Sequence, residues 1–189
     1  AIFDVSKYTV RLTSILLHLV TLFYVYLLAL ETTNSKKIAN VSILVLALMP
    51  LSLVFGTAIT TDSSLITFYT ISVYYTRKAI ILNDKNSWYL AAVFCGGMLL
   101  SKFMAILFFP GVFLFLLVNS KYRQILFTKE PYISMILALI LFSPFIYWNA
   151  QNEWLTVQFN FFVRQKDQFI AWKKPFVYVL GQMAIAVPI

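Results

Sequence analysis

Charge is what this chain has least of. Only 12% of its 189 residues are charged, where a soluble globular domain carries about a quarter. That shortage, with 61% hydrophobic residues and a mean hydropathy of +0.82, excludes a soluble domain. Cysteine occurs once, as Cys95 inside an apolar run, so no intramolecular disulfide and no thiolate metal cluster can form. The 5 glycines and 6 prolines are too few for a linker or a low-complexity segment, and they punctuate apolar stretches instead. No internal repeat is visible. Residues 1–8 lack the basic start of a signal peptide, and the apolar run that follows is long enough to span a bilayer. Because the sequence starts at Ala1 and ends inside the apolar run 176–189, it reads as an internal fragment of a longer membrane protein.

What is present fits an all-α, polytopic transmembrane helical bundle. A membrane helix needs about 20 mostly apolar residues. That rule places spans near 10–30, 38–56, 63–82, 88–101, 103–119 and 131–148, with a truncated span at 175–189 and a loop at 149–174. The stretch 88–119 is too long for one span and turns near Ser101-Lys102, with Pro110 beyond. Aromatic residues make up 17% of the chain, as the interfacial belts of membrane proteins require. Trp148, Trp154 and Trp172 read as such anchors before they read as sugar-stacking platforms.

A net charge of +8 in a soluble protein would raise nucleic-acid binding. Here most cations lie in short loops, 31–37, 77–87 and 121–130, where they orient spans and meet anionic membrane lipid; no nucleic-acid partner is expected. By the positive-inside rule those loops are cytoplasmic, and Arg77-Lys78 is a topology signal. The opposite face then holds residues 1–9, the turn at Asp62, the turn at Lys102 and the loop 149–174 with Arg164.

Asp62 stands out because it is the only charged side chain between residues 38 and 73. A carboxylate at membrane depth costs several kcal/mol unless it is paired or faces water, which makes it a functional-site hypothesis. The competing reading is a residue that ends a span. A carboxylate, an ammonium (Lys102) and a guanidinium (Arg164) on one face suit a phosphate held with a divalent ion. His18 in the first span reads as a packed helix histidine ahead of a proton relay or metal ligand. Gly96-Gly97 reads as close helix packing by small residues, since no strand precedes it and the setting is a membrane helix. Glu153 and Asp167 read as solvated loop charges.

Three blocks occur in order: Thr60-Thr61-Asp62-Ser63-Ser64-Leu65, Gly96-Gly97-Met98-Leu99-Leu100-Ser101-Lys102-Phe103, and Ser143-Pro144-Phe145-Ile146-Tyr147-Trp148-Asn149-Ala150-Gln151-Asn152-Glu153-Trp154. Together they resemble bacterial membrane glycosyltransferases of family 39, the dolichyl-phosphate-mannose-protein-mannosyltransferase-like superfamily with the GT-C fold. Phe159 to Arg164 looks like that family's F-Q-x-x-x-R continuation, and Arg11-Leu12 like the R-L that opens a span. The resemblance implies an enzyme of the plasma (inner) membrane that moves a sugar from a polyprenyl-phosphate donor to an acceptor lipid, glycan or protein outside. It implies that Asp62 helps hold a divalent metal ion or organises the donor phosphate, and that Lys102 and Arg164 contact the phosphate or sugar. Its catalytic base is expected upstream of residue 1; Asp4 has no D-E motif around it and is not assigned that role. The rival class is a transporter or lipid flippase without transferase chemistry, which would carry ionisable residues mid-span.

Overall fold

The computed structural model describes residues 7–58, 60–163 and 181. Among them the chain is helical, with no strand. In order come α1 (Lys7–Thr33), α2 (Lys36–Leu48), α3 (Pro50–Thr57), α4 (Thr61–Ile81), α5 (Lys85–Ser101), a 3-10 turn (Phe103–Leu107) and α6 (Phe108–Val118). A second 3-10 turn (Arg123–Phe127), α7 (Glu130–Gln151), a short α8 (Leu155–Gln158) and a π turn (Phe159–Val163) follow. The segment 175–189, expected to begin another span, and the loop beyond residue 163 lie outside the described residues.

Two of these helices, Arg11–Thr33 and Glu130–Gln151, are long and apolar enough to cross a membrane, and the α2–α3 pair makes a third if counted as one span. The stretch 38–56, expected as one span, is two helices bent by 73°. Pro50 causes the break: it has no N–H to continue the ladder of α2, and its ring pushes Met49 into extended backbone at φ −66°, ψ 130°. Pro110 does no such damage, because it lies in the first turn of α6, where an N–H has no helical acceptor.

Turn chemistry sets the helix ends. Asn34 (φ 51°) and Asn83 (φ 54°) take the left-handed backbone at the ends of α1 and α4, a conformation asparagine tolerates. Ser35 then starts α2 by accepting the Ile38 N–H, and Asp84 starts α5 by accepting from Asn86 N–H and Ser87 Oγ. The Ser87 hydroxyl, chiefly, and the amides of Asn86 and Ser87 hold the Asp84 carboxyl below its usual range.

Helix α4 is the middle of the bundle. It runs parallel to α1, with Thr21 meeting Thr67 (2.9 Å) and Glu31 meeting Arg77 (2.8 Å). It runs antiparallel to α5, joined at one end through the Ala79–Ile80–Trp88 cluster and at the other through Asp62–Lys102. On its far side, α5 lies parallel to α7: Lys85 pairs with Glu130 (3.2 Å), Ser134 Oγ donates to Trp88 O (2.7 Å), and Gly96 faces Leu141.

Burial explains why α4 is poorer in hydrophobes than its neighbours. Ser63, Thr67, Thr70, Ser72 and Thr76 are all buried in it. The hydroxyls of Thr67, Thr70 and Ser72 donate back to the carbonyls of Ser63, Ile66 and Phe68 at 2.7–2.9 Å. A buried hydroxyl without a partner would cost about 1–3 kcal/mol. Among the described residues no buried side-chain N or O is without a partner.

The two adjacent glycines let α5 fit between its neighbours. A Cβ on Gly97 would stand 3.2 Å from the Phe68 ring of α4, and one on Gly96 would stand 2.6 Å from Leu141 Cβ of α7. This is the close helix packing expected of Gly96-Gly97. Gly56 does the same for α3, whose Cβ would meet His18 Cδ2 at 3.0 Å. Gly96→Ala should therefore force α5 and α7 apart and cost about 1–3 kcal/mol, while Gly111→Ala, with nothing within 4 Å, should be near neutral. Thermal unfolding of both variants in detergent checks this, and equal midpoints would contradict the packing described.

Candidate functional site

Two of the three site residues expected from sequence meet. Asp62 is in the first turn of α4, where exposed backbone N–H groups favour a negative charge. Lys102 follows the last residue of α5 in extended backbone (φ −159°, ψ 117°), which turns the chain out of the helix. Its Nζ donates to Asp62 Oδ1 at 2.8 Å. Gly97 sets this geometry by letting α5 approach α4 closely just before the two helix ends.

The pair is open on one side, with 34% of the Asp62 side chain and 41% of that of Lys102 exposed. An ammonium has three donors and Asp62 Oδ1 takes one, so an anion arriving from the open side can take another. Arg164, the third expected residue, lies outside the described residues, as do Asp4, Asp167 and Trp172. Among the described residues no three His, Cys, Asp or Glu side chains stand together to hold a metal. The Asp62 carboxylate faces the Lys102 ammonium.

His18 resolves as packing. It rests on Gly56, with Ser52 Oγ 3.5 Å from its Nε2. Arg77, expected only as a topology signal, also clamps α1 to α4. Its Nη1 donates to Glu31 Oε2 and its Nη2 to Glu31 O, both at 2.8 Å, and Tyr74 Oη donates to Glu31 Oε1 at 2.8 Å.

The third sequence block forms a turn at the same end of the bundle as Lys102, because α7 runs parallel to α5. Asn149 holds that turn and is fully buried. Its Nδ2 donates to Phe145 O (3.0 Å), its Oδ1 accepts from Thr156 N (3.2 Å), and its carbonyl accepts from Trp154 N (2.8 Å). Glu153 and Trp154 both take left-handed backbone, at φ 51° and 58°. Trp148 and Trp154 stay about half exposed. In the sequence Asn149 is one residue of the third block, and its signal is an amide that closes an apolar helix.

An apolar groove of about 730 Å³ opens beside the pair. One wall is the α4 stripe Leu65, Tyr69 and Val73, and the other is Met104, Phe108 and Val112. Tyr69 and Phe108 meet edge-on at 5.8 Å. Arg77 borders the groove at the far end of α4.

An all-α bundle with membrane-length apolar helices, whose charged side chains gather at its two ends, is the frame of an integral-membrane protein. More narrowly, the chain belongs to the dolichyl-phosphate-mannose-protein mannosyltransferase family, whose model matches residues 1–148. This is a family of membrane glycosyltransferases of the GT-C type. The matched region contains Asp62 and Lys102 and stops before Arg164. Comparison with curated proteins and with solved structures returns no match.

The Asn149 turn generates a prediction. Asn149→Ala strands the Thr156 N–H and should cost about 1–3 kcal/mol, whereas Asn152→Ala, whose side chain makes one exposed bond to Trp148 O, should cost under about 0.5 kcal/mol. Unfolding midpoints separate the two; an Asn149→Ala midpoint no lower than that of Asn152→Ala would contradict the role assigned to the turn.

Proposed function

We propose that this bundle forms the donor-phosphate end of a glycosyltransferase that moves a sugar from a polyprenyl-phosphate carrier to an acceptor on the extracytoplasmic face. The observation that carries the reading is the open Asp62–Lys102 pair beside the apolar groove. In the transfer the bond from the sugar's anomeric carbon to the phosphate oxygen breaks while the acceptor's oxygen or nitrogen bonds to that carbon. The leaving phosphate keeps the electron pair, so its negative charge grows.

Lys102 meets that growing charge with an ammonium already held in place, so little reorganisation is needed as the bond breaks. Asp62 acts through Lys102 by holding the ammonium at the helix ends before the donor arrives. Arg164 is the proposed second contact to the phosphate or sugar. The basic loops lie on the cytoplasmic side, which puts the pair outside. No described residue is assigned as the base for the acceptor.

The transporter reading finds less support. Asp, Glu, Lys and Arg are absent from the middles of α1, α4, α5 and α7, where a transport path would need them. The groove walls are also too apolar to pass a phosphate.

The test is transfer of radiolabelled sugar from polyprenyl-phosphate donors in membranes containing the native protein. Lys102→Met should lower transfer about 10²–10³-fold, the range for losing one preorganised charge donor. Asp62→Asn should lower it less, and Lys102→Arg should retain part of it because the cation remains. Undiminished transfer by Lys102→Met, in protein that still inserts and folds, would remove Lys102 from the site. No transfer from any donor by the unaltered protein would sink the reading.

A further inference from the structure

The loop between α6 and α7 displays apolar side chains on a fixed backbone. Among the large hydrophobic residues described, Phe127 (87% exposed) and Val118 (79%) are the two least covered, one at each end of this loop. Loose packing does not account for them, because the loop is tied down. Arg123 Nε donates to Leu117 O (3.0 Å), Tyr132 Oη to Leu126 O (2.8 Å) and Thr128 Oγ1 to Ile125 O (2.7 Å). Ile125 and Leu126 pack onto the cluster of Ala79, Ile80, Trp88 and Leu116. The second 3-10 turn therefore buries two apolar side chains and leaves Phe127 outside.

Cations surround the displayed residues. Lys121, Arg123 and Lys129 are exposed, and residues 119–129 contain no Asp or Glu. Glu130, the next residue, is buried and paired with Lys85. Beside Lys121 lies a shallow hollow of about 570 Å³, with a floor of Leu114, Phe115 and Val118 and a rim of Asn119 and Ser120. The floor belongs to α6, of whose residues only Leu116 is buried. An apolar floor that continues along a membrane helix, under a polar and cationic rim, matches an anionic phospholipid. Its acyl chain would lie along α6 and its headgroup beside Lys121. A soluble partner would have to be both apolar and acidic, and would have to reach past the headgroups to touch α6.

We propose that the α6–α7 loop is a docking site for anionic phospholipid. Phe127 and Val118 are set into the interface, and Lys121, Arg123 and Lys129 meet the headgroups. Any basic loop is drawn to an anionic surface; this one adds a rigid apolar anchor and a hollow for the lipid. Because α6 buries so little of itself against the bundle, lipid bound here steadies the helix that follows Lys102. The proposal rests on the membrane frame and is independent of the transferase reading.

Phe127→Trp, at a position open enough to take the larger ring, reports on the site. The native protein carrying it is placed in nanodiscs of zwitterionic phosphatidylcholine with a growing share of phosphatidylglycerol. Bromine on the acyl chains of one lipid at a time quenches the added tryptophan, and protein without the change supplies the background of its four native tryptophans. Brominated phosphatidylglycerol should quench at a lower mole fraction than brominated phosphatidylcholine. Each near-surface cation is worth about fivefold in affinity for an anionic surface, so changing Lys121→Gln and Lys129→Gln together should raise the half-quenching fraction of phosphatidylglycerol at least about fivefold. That of phosphatidylcholine should stay as it was, which shows the loop still folded; Arg123 is left in place because it holds Leu117 O.

Equal quenching by the two lipids would overturn the site, and so would a preference that survives the double change. A tryptophan at 127 that neither lipid quenches would overturn it as well. If aqueous iodide then quenches it, the loop lies in water; if iodide also fails, protein covers the loop.

Discussion

Pairing of opposite charges at helix ends holds this bundle in register, and among the described residues it happens in three places. Glu31–Arg77 ties α1 to α4, Asp62–Lys102 ties α4 to the end of α5, and Lys85–Glu130 ties α5 to α7. Each joins neighbouring elements at their ends and none lies mid-helix. The pairings favour particular helix ends lying side by side. The apolar faces and the glycines Gly96 and Gly97 then decide how closely the helices approach. The three pairs differ in one respect that matters for chemistry. Arg77 is held by both the side chain and the backbone of Glu31, whereas Lys102 is held by one bond and faces outward. Of the two, the looser cation keeps donors free for a ligand.

The same economy governs the polar groups without charge. Helix α4 carries serines and threonines that a lipid-facing helix could not afford, and it can do so because it is enclosed by α1 and α5. The hydroxyls of Thr67, Thr70 and Ser72 return to carbonyls four residues back, that of Ser63 reaches Phe55 O in α3, and Thr67 also reaches α1. Asn149 applies the rule at the end of α7, where one buried amide satisfies an N–H and a C=O of a turn made of two left-handed residues. The face carrying Asp62 and Lys102 is built on elements fixed in this way.

Much of this was legible in the sequence, for physical reasons. The helical class follows from the long apolar runs, since lipid admits only helices or closed barrels and runs of about 20 apolar residues suit a helix, not a barrel strand. Asp62 was visible because it is isolated in an apolar stretch, and Lys102 because it interrupts another. That they touch was not legible: forty residues separate them, and only the antiparallel packing of α4 on α5 brings them together. Pro50 could have announced the break between α2 and α3, but the apolar run continues across it and hid the bend. Arg77 looked like a topology signal because its partner, Glu31, lies at the end of a different helix. The groove was invisible because it belongs to no single segment; it is the gap left between α4 and α6.

The central claim is that Lys102, held by Asp62, donates a further hydrogen bond to the donor phosphate. Solid-state NMR of the nitrogen-15-lysine protein with bound polyprenyl phosphate tests it through the dipolar coupling between the Lys102 ammonium and phosphorus. An ammonium in direct contact with a phosphate places nitrogen about 3.5 Å from phosphorus, one charge-assisted hydrogen bond away. The account predicts that coupling, and its loss in Lys102→Arg, where the labelled ammonium is gone. A bound phosphate with no coupling to Lys102 would contradict it.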